Sequence, residues 1–466
     1  MLPTRVSDHE TTSDSDSVRA DQVHGILARH LLVDGYPFVL DVERSSGRRL
    51  FDALTGDSYL DMYTFFGSSP LGINPPQLVE DPEFMRQLAA VAANKPANSD
   101  VYTTHMAEFV DVFARVLGDP DLPHLFFVEG GALAVENALK CAFDWKSRHN
   151  ELHGRPRELG TKVLHLSRAF HGRSGYTLSV TNTDPVKTDR YPQFGWPRVD
   201  VPALEFSAGG TARREAAEAA ERRALHQARA AFAAHPHDIA CFLFEPIQGE
   251  GGDNHMSTGF LQAMQELCRA NDALFVADEV QTGVGLTGKS WAYQHFGVQP
   301  DVVAFAKKVQ LGGIMAGRRV DEVPDNVFAV SGHINSTWGG NLVDMVRSRR
   351  MLEVIEDEHL VDRAAQSGAY FLGGIRRLAE RHPDLVSNPR GRGLMCAFDM
   401  RTQEERSELV RMLLDQERIL MLPGGERTVR ARPALTVTVD EIDEALCALD
   451  RCLSAIPTRT PTPLEA

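Results

Sequence analysis

"ALFVADEVQTGVGLTGKS", residues 273 to 290, holds two opposed readings of the fold. Its last eight residues, Gly283 to Ser290, match G-x-x-x-x-G-K-[ST], the loop whose backbone amides cradle nucleotide phosphates. Gly283, Gly285 and Gly288 also match the dinucleotide fingerprint G-x-G-x-x-G. Either motif requires a strand that runs straight into the first glycine and a helix that opens at the last. "ALFVAD" reads as a buried strand ending on Asp278, and "WAYQHFG" as a candidate short helix. However, "EVQT" (Glu279 to Thr282) stands between the strand and Gly283, and a phosphate loop has no use for it. The competing reading makes the strand's acidic end the functional part and the glycines a loop beside it.

Short apolar runs alternate with helical segments from about residue 98 to 340. The runs are "HLFFVE", "KVLHLS", "GYTLSVT", "IACFLFEP", "ALFVAD" and "VVAFAK". Continuous apolar strands between helices predict an α/β fold with a mostly parallel sheet covered on both faces. "TARREAAEAAERRALHQARAAFAAH" predicts a solvated helix without a functional role. Before this region, alternating apolar and polar residues after "HGILARHLLV" predict a helix and a small antiparallel sheet. After it, "ELVRMLLDQERILM", "TVRARPALTV" and "DEIDEALCALDRCLSAI" predict a smaller α/β domain. The expected organisation is a flexible lead over 1–20 and an N-terminal segment over 21–75 that packs with the small domain. A large domain over 76–341, the small domain over 342–455 and a flexible tail over 456–466 complete it.

A chain of 466 residues supports such a large core, and its formal charge of −15 argues against nucleic acid or an anionic membrane as partner. Six cysteines without a C-x-x-C pair predict buried thiols in a reducing compartment, not a disulfide frame or a metal site. The longest apolar stretches are strand-sized, and the first residues carry no apolar signal core, so the expected location is the cytoplasm.

Ligands of open α/β sheets bind beyond the carboxyl ends of the strands. Gly130-Gly131-Ala132 after "HLFFVE" opens a helix, which makes either an anion site or a plain glycine turn. Asp278 can hold a metal, cap a helix or pair with a protonated ring nitrogen. Lys307, directly ending "VVAFA", is better placed than Lys308 to lose hydration and become a neutral nucleophile. Phe170 can stack on a planar ring, and Arg173 can clamp a carboxylate. Each of these alone has an ordinary structural explanation. Together, an anion-binding helix end, a carboxylate, an aromatic face and an amine are what pyridoxal 5'-phosphate (PLP) requires.

The series "GGALAVENALK", "FHGRSGYTLS", "EPIQGEGGD", "ADEVQTGVGLTG", "AFAKK" and "STWGGN" resembles the class III aminotransferases of PLP fold type I, in order and spacing across nearly the whole chain. "NSDVYTTHMAEFV", "LPHLFFVEGGALAVENALK" and "AFDWKSRHN" resemble most closely the subgroup acting on the ε-amine of L-lysine. The resemblance implies that Lys307 bonds to the cofactor and shuttles the proton, that Asp278 keeps the ring nitrogen protonated, and that Glu245 positions Asp278. Gly131 and Ala132 would bind the phosphate, Phe170 and Val280 would cover the two ring faces, and Gln281 would lie near the ring hydroxyl. Ser336 and Thr337 would reach the phosphate of a neighbouring subunit, making a homodimer. Arg173, Asn335, Gln281 and a Glu250–Arg430 switch would receive L-lysine and 2-oxoglutarate in turn, with Arg432 the competing switch arginine. Ornithine, 4-aminobutyrate and diaminobutyrate are the alternative amines, and a P-loop nucleotide-binding protein is the alternative class. Departures from the class pattern are the short "FFGSSPLG" (Phe65 to Gly72), "GINPP" (Gly72 to Pro76), Leu133 and Leu342. They bear on the entrance, not on Lys307 or Asp278.

Overall fold

Ile239–Phe244, six apolar residues that are all buried, sit inside a seven-stranded sheet. Its order is His124–Val128, Gly312–Ala316, Val302–Phe305, Leu274–Asp278, Ile239–Phe244, Lys162–Leu166 and Arg198–Val199. The last five run parallel, as expected for strands buried on both faces, and only Gly312–Ala316 runs against its neighbours. The computed structural model describes residues 18–207 and 210–457. Most of the expected lead, up to Ser17, and the tail from Thr458 onward therefore lie outside the described residues.

One predicted strand is a helix. "GYTLSVT" forms Gly175–Val180, because Ser174 takes the N-cap position and the Glu136 carboxylate accepts from Ser174 Oγ (2.8 Å) and Thr177 N (3.1 Å). Capping the exposed amides outweighs the β-propensity of a short apolar run. Its place in the sheet is taken by Arg198–Val199 and by Gly312–Ala316, which apolar periodicity does not mark because it begins with two glycines.

Two smaller sheets flank this layer. Leu40–Ser46, Arg49–Asp52 and Ser58–Asp61 are antiparallel, and Ile419–Leu420 adds to the last of them in parallel, Ile419 opposite Leu60. The N-terminal segment thus shares a sheet with residues late in the chain. The other sheet orders Val386–Arg392, Met395–Met400, Thr428–Ala431 and Leu422–Gly424, all antiparallel, and brings Arg430 to the cleft.

The glycine-rich stretch is a buried run of turns. Thr282–Thr287 are buried, and the next helical element is a 3-10 turn, Ala292–His295, so no helix opens at Gly288. A Cβ at Gly283 would lie 2.5 Å from the Trp291 ring. At Gly288, which has a φ of +81°, it would lie 2.7 Å from Ala365 Cβ. These glycines allow close packing, and the space a nucleotide phosphate would need is filled by protein.

Candidate active site

The carboxyl ends of strands in the large sheet carry Gly131, Phe170, Asp278 and Lys307. Gly130, with φ at +87°, turns the chain out of His124–Val128 into the helix Gly131–Leu152, and no side chain caps its first amides. Twenty-two aligned peptide dipoles then present roughly half a positive charge at Gly131 and Ala132. A Cβ on Gly131 would stand 2.8 Å from Val280 Cγ1 and 3.5 Å from Ala306 Cβ, so the anion site, Val280 and the lysine turn share one floor. Ala132 in turn lies against Gly172, next to Phe170 and His171.

Asp278 is 5% exposed at the end of its strand. Its Oδ1 accepts from Val280 N (3.0 Å), and its Oδ2 meets His171 Nδ1 at 2.7 Å. Each oxygen keeps a second lone pair for a further donor. His171, where Glu245 was expected, is the side chain that meets Asp278. Glu245 accepts instead from Phe170 N (3.0 Å) and Gly249 N (2.9 Å), fixing the backbone under the aromatic ring. Burial, and then the nearby Asp278, push Glu245 up to about 7. The only signal for His171 in the sequence is a polar aromatic among small residues just beyond a buried strand. His171 Nε2 is buried with no partner among the described residues.

Lys307 follows Val302–Phe305 and adopts φ +52°, a conformation that costs about 1–3 kcal/mol and persists where surroundings impose it. Its Nζ donates to Phe66 O at 3.0 Å. Burial and the neighbouring Arg430 and Arg432 draw its pKa down to about 8. Lys308 is more deeply buried, but its Nζ is tied to Gln281 O (2.7 Å) and Gly67 O (3.3 Å), which makes it a strut between loops. Phe66 belongs to the short "FFGSSPLG" stretch, whose backbone the sequence did not place beside Lys307. It stands in a run of positive φ from Thr64 to Gly67.

Two arginines come in from the small sheet. Arg432 is fully buried and paired on both nitrogens with Asp253, Nη1 to Oδ2 at 3.0 Å. Arg430 is 3% exposed and donates to two neutral oxygens, Pro423 O at 2.9 Å and Gln281 Oε1 at 3.3 Å. Its pKa is lowered to about 10, by burial first and by Arg432 second. Gln281 Oε1 also accepts from Arg432, so Gln281 faces the arginines. Glu250 does not touch Arg430 in this structure; it pairs with Lys187, and Thr183 Oγ1 donates to it at 3.4 Å. Beyond Glu250 opens a polar cavity of about 890 Å³, which reaches neither Lys307 nor Asp278. Arg173 is exposed beside the cleft, with no ion pair among the described residues. Among the described residues no hydrogen bond or ion pair joins Asn335, Ser336 or Thr337 to Lys307. Their segment lies against Asn98 and Ser99, with Asn335 and Thr337 exposed.

With this geometry in place, the chain can be set beside known proteins. The family model described as Aminotransferase class-III matches residues 33–453. The chain belongs to the class-III aminotransferases. It is 60% identical to the L-lysine-epsilon aminotransferase of Mycobacterium tuberculosis over 94% of this chain and 96% of that one. It is 57% identical to that of Streptomyces clavuligerus over 95% and 96% of the two chains. The crystal structure of lysine aminotransferase from M. tuberculosis, in its internal aldimine form, superposes with a TM-score of 0.92 over 94% of this chain and 99% of that chain.

PLP is the cofactor of this aminotransferase, and its residues fit the group. The uncapped helix end at Gly131 suits a phosphate, and the Val280 side chain stands so close to Gly131 that only glycine fits there. Asp278 suits a protonated ring nitrogen, Phe170 offers an aromatic face, and Lys307 supplies an amine with a lowered pKa. Among the described residues no helix is long and apolar enough to cross a membrane.

Proposed function

We propose that this aminotransferase moves the ε-amino group of L-lysine to 2-oxoglutarate by a ping-pong mechanism. The products are L-glutamate and 2-aminoadipate 6-semialdehyde, which cyclises to piperideine-6-carboxylate. The observation that carries the two-substrate reading is Arg430, a buried guanidinium bonded to neutral oxygens with the Glu250 carboxylate near enough to act on its charge. Lysine as donor is supported by the relatives named for it. Lysine has no carboxylate beside its reacting amine, whereas 2-oxoglutarate has one beside its ketone. A permanently free arginine would therefore favour α-amines. Glu250 on Arg430 suits the first half-reaction, and Glu250 withdrawn suits the second. Arg432 is neutralised by Asp253 and cannot alternate without breaking a buried pair, at about 3–5 kcal/mol.

PLP, when bound, supplies the reactive aldehyde and an electron-withdrawing ring. Asp278, oriented by His171, holds a proton on the ring nitrogen. Lys307 Nζ takes a proton from the substrate carbon and returns it, a task suited to a pKa near the working pH. Phe170 and Val280 would cover the ring faces, and Gly131 and Ala132 would hold the phosphate. Arg173 takes the distal carboxylate of both substrates, and Asn335 lines the same end. Ser336 and Thr337 complete the phosphate site of the partner subunit in a cytoplasmic homodimer, a location supported by free cysteines.

Lysine added without acceptor is expected to discharge the visible absorbance of the holoenzyme, and ornithine or 4-aminobutyrate to do so far less. Equal discharge by ornithine would replace the substrate. Glu250→Ala is expected to lower the preference for ε- over α-amines by at least about tenfold, roughly 1.4 kcal/mol, with a smaller effect on cofactor retention. Wild-type regioselectivity in that variant would sink the switch.

A further inference from the structure

A switch needs two resting places for its moving group, and the second is visible. Glu250 is 26% exposed and Lys187 13%, so neither is left to bulk water. Lys187 Nζ pairs with Glu250 Oε1 and also donates to Thr183 Oγ1 at 3.2 Å, while Thr183 donates to Glu250 Oε2. Three side chains thus close a small polar ring. Lys187 is held in place by its own turn: Pro185–Lys187 is a 3-10 element whose N-cap, Asp184, accepts from Val186 N at 3.0 Å. Its ammonium also lies 5.7 Å from the centre of the Phe170 ring. With Glu250 seated there, the described hydrogen bonds of Arg430 all go to neutral oxygens.

We propose that Lys187 is a latch that holds Glu250 in its withdrawn position and so sets how readily Arg430 becomes free for an α-carboxylate. A partly buried carboxylate that left Arg430 for an unpaired place would lose its counter-charge, and the withdrawn state would be sparsely filled. Lys187 and Thr183 make the two states comparable in energy, as a ping-pong enzyme alternating between unlike substrates requires. Lys187 is on this view a specificity-determining residue outside the reacting centre. The inference rests on the Glu250–Arg430 switch proposed above.

The test measures the two half-reactions separately on holoenzyme, by stopped-flow absorbance, in wild type, Lys187→Met, Lys187→Arg, Glu250→Ala and the Lys187→Met/Glu250→Ala double variant. The readout is kcat/KM for 2-oxoglutarate divided by kcat/KM for lysine, a ratio that does not depend on the folded fraction. Lys187→Met is expected to lower the ratio about tenfold, and Lys187→Arg to restore most of it, since a cation of similar reach keeps the pair. Glu250→Ala raises the ratio, and adding Lys187→Met to it changes nothing further, because no carboxylate remains to be latched. If Glu250→Ala leaves the ratio at the wild-type value, the switch fails and the latch with it. If Glu250→Ala moves the ratio but Lys187→Met does not, the latch alone is overturned. The latch is likewise overturned if Lys187→Met lowers the ratio as much without Glu250 as with it.

Discussion

Asp278 ends a wholly apolar strand, and its carboxylate is directed by His171 on one oxygen and Val280 N on the other. His171→Phe keeps the ring volume and removes the donor. We expect kcat to fall about 10- to 100-fold, which is roughly 1.4–2.8 kcal/mol of barrier, and His171→Asn to recover part of it; steady-state kinetics with saturating cofactor checks this. Lys307 gives a pH prediction. Burial and two neighbouring arginines disfavour its ammonium, so the amine is half deprotonated at about pH 8 where an ordinary lysine would wait until about 10.5. The rate at which cofactor-free protein captures PLP is expected to rise with pH and level off above about 8. A rate still climbing steeply past pH 9 would refute the shifted lysine.

At the level of elements, the site is assembled by strand ends and a helix start, and the glycine-rich loop is packing. Gly288→Ala forces a side chain into a left-handed conformation and 2.7 Å from Ala365 Cβ. The expected cost is about 1–3 kcal/mol, seen as a lower Tm. ATP is expected to leave that Tm unmoved in variant and wild type alike, whereas a working phosphate loop would raise it. Gly175–Val180 shows the limit of reading elements from apolar runs. The decision between strand and helix was made by Glu136, about forty residues earlier, reaching the amide of Thr177.

For the whole molecule, the segment from Asn335 to Trp338 lies against Lys95, Asn98 and Ser99, and none of its described contacts is to its own Lys307. If Thr337 serves the partner's phosphate, two inactive variants should complement each other. Lys307→Ala and Thr337→Asp subunits, unfolded together and refolded one to one, are expected to regain activity at about a quarter of the sites, because half the dimers are hybrids with one intact site each. Activity no greater than the sum of the separate variants would place Thr337 in its own subunit's chemistry or outside the site.

Local chemistry is written in the order of the residues. "IACFLF" and "VVAFA" are short, continuous apolar runs that suit strands buried on both faces, which puts Glu245 and Lys307 just beyond the carboxyl ends of two such strands. Gly130-Gly131-Ala132 could open a helix only one way, and Asp278 ended its strand wherever the fold placed it. Tertiary structure decided which groups meet. His171 replaced Glu245 beside Asp278, Asp253 claimed Arg432 and left Arg430 open, and Lys187 took Glu250. Such pairings join residues up to about 180 positions apart and depend on where the chain returns, while periodicity and turn chemistry carry only local information. The loop "GVGLTGKS" marks the boundary between the two. Its letters fit a phosphate cradle, and only the Trp291 ring and Ala365 packed against it show that the cradle is full.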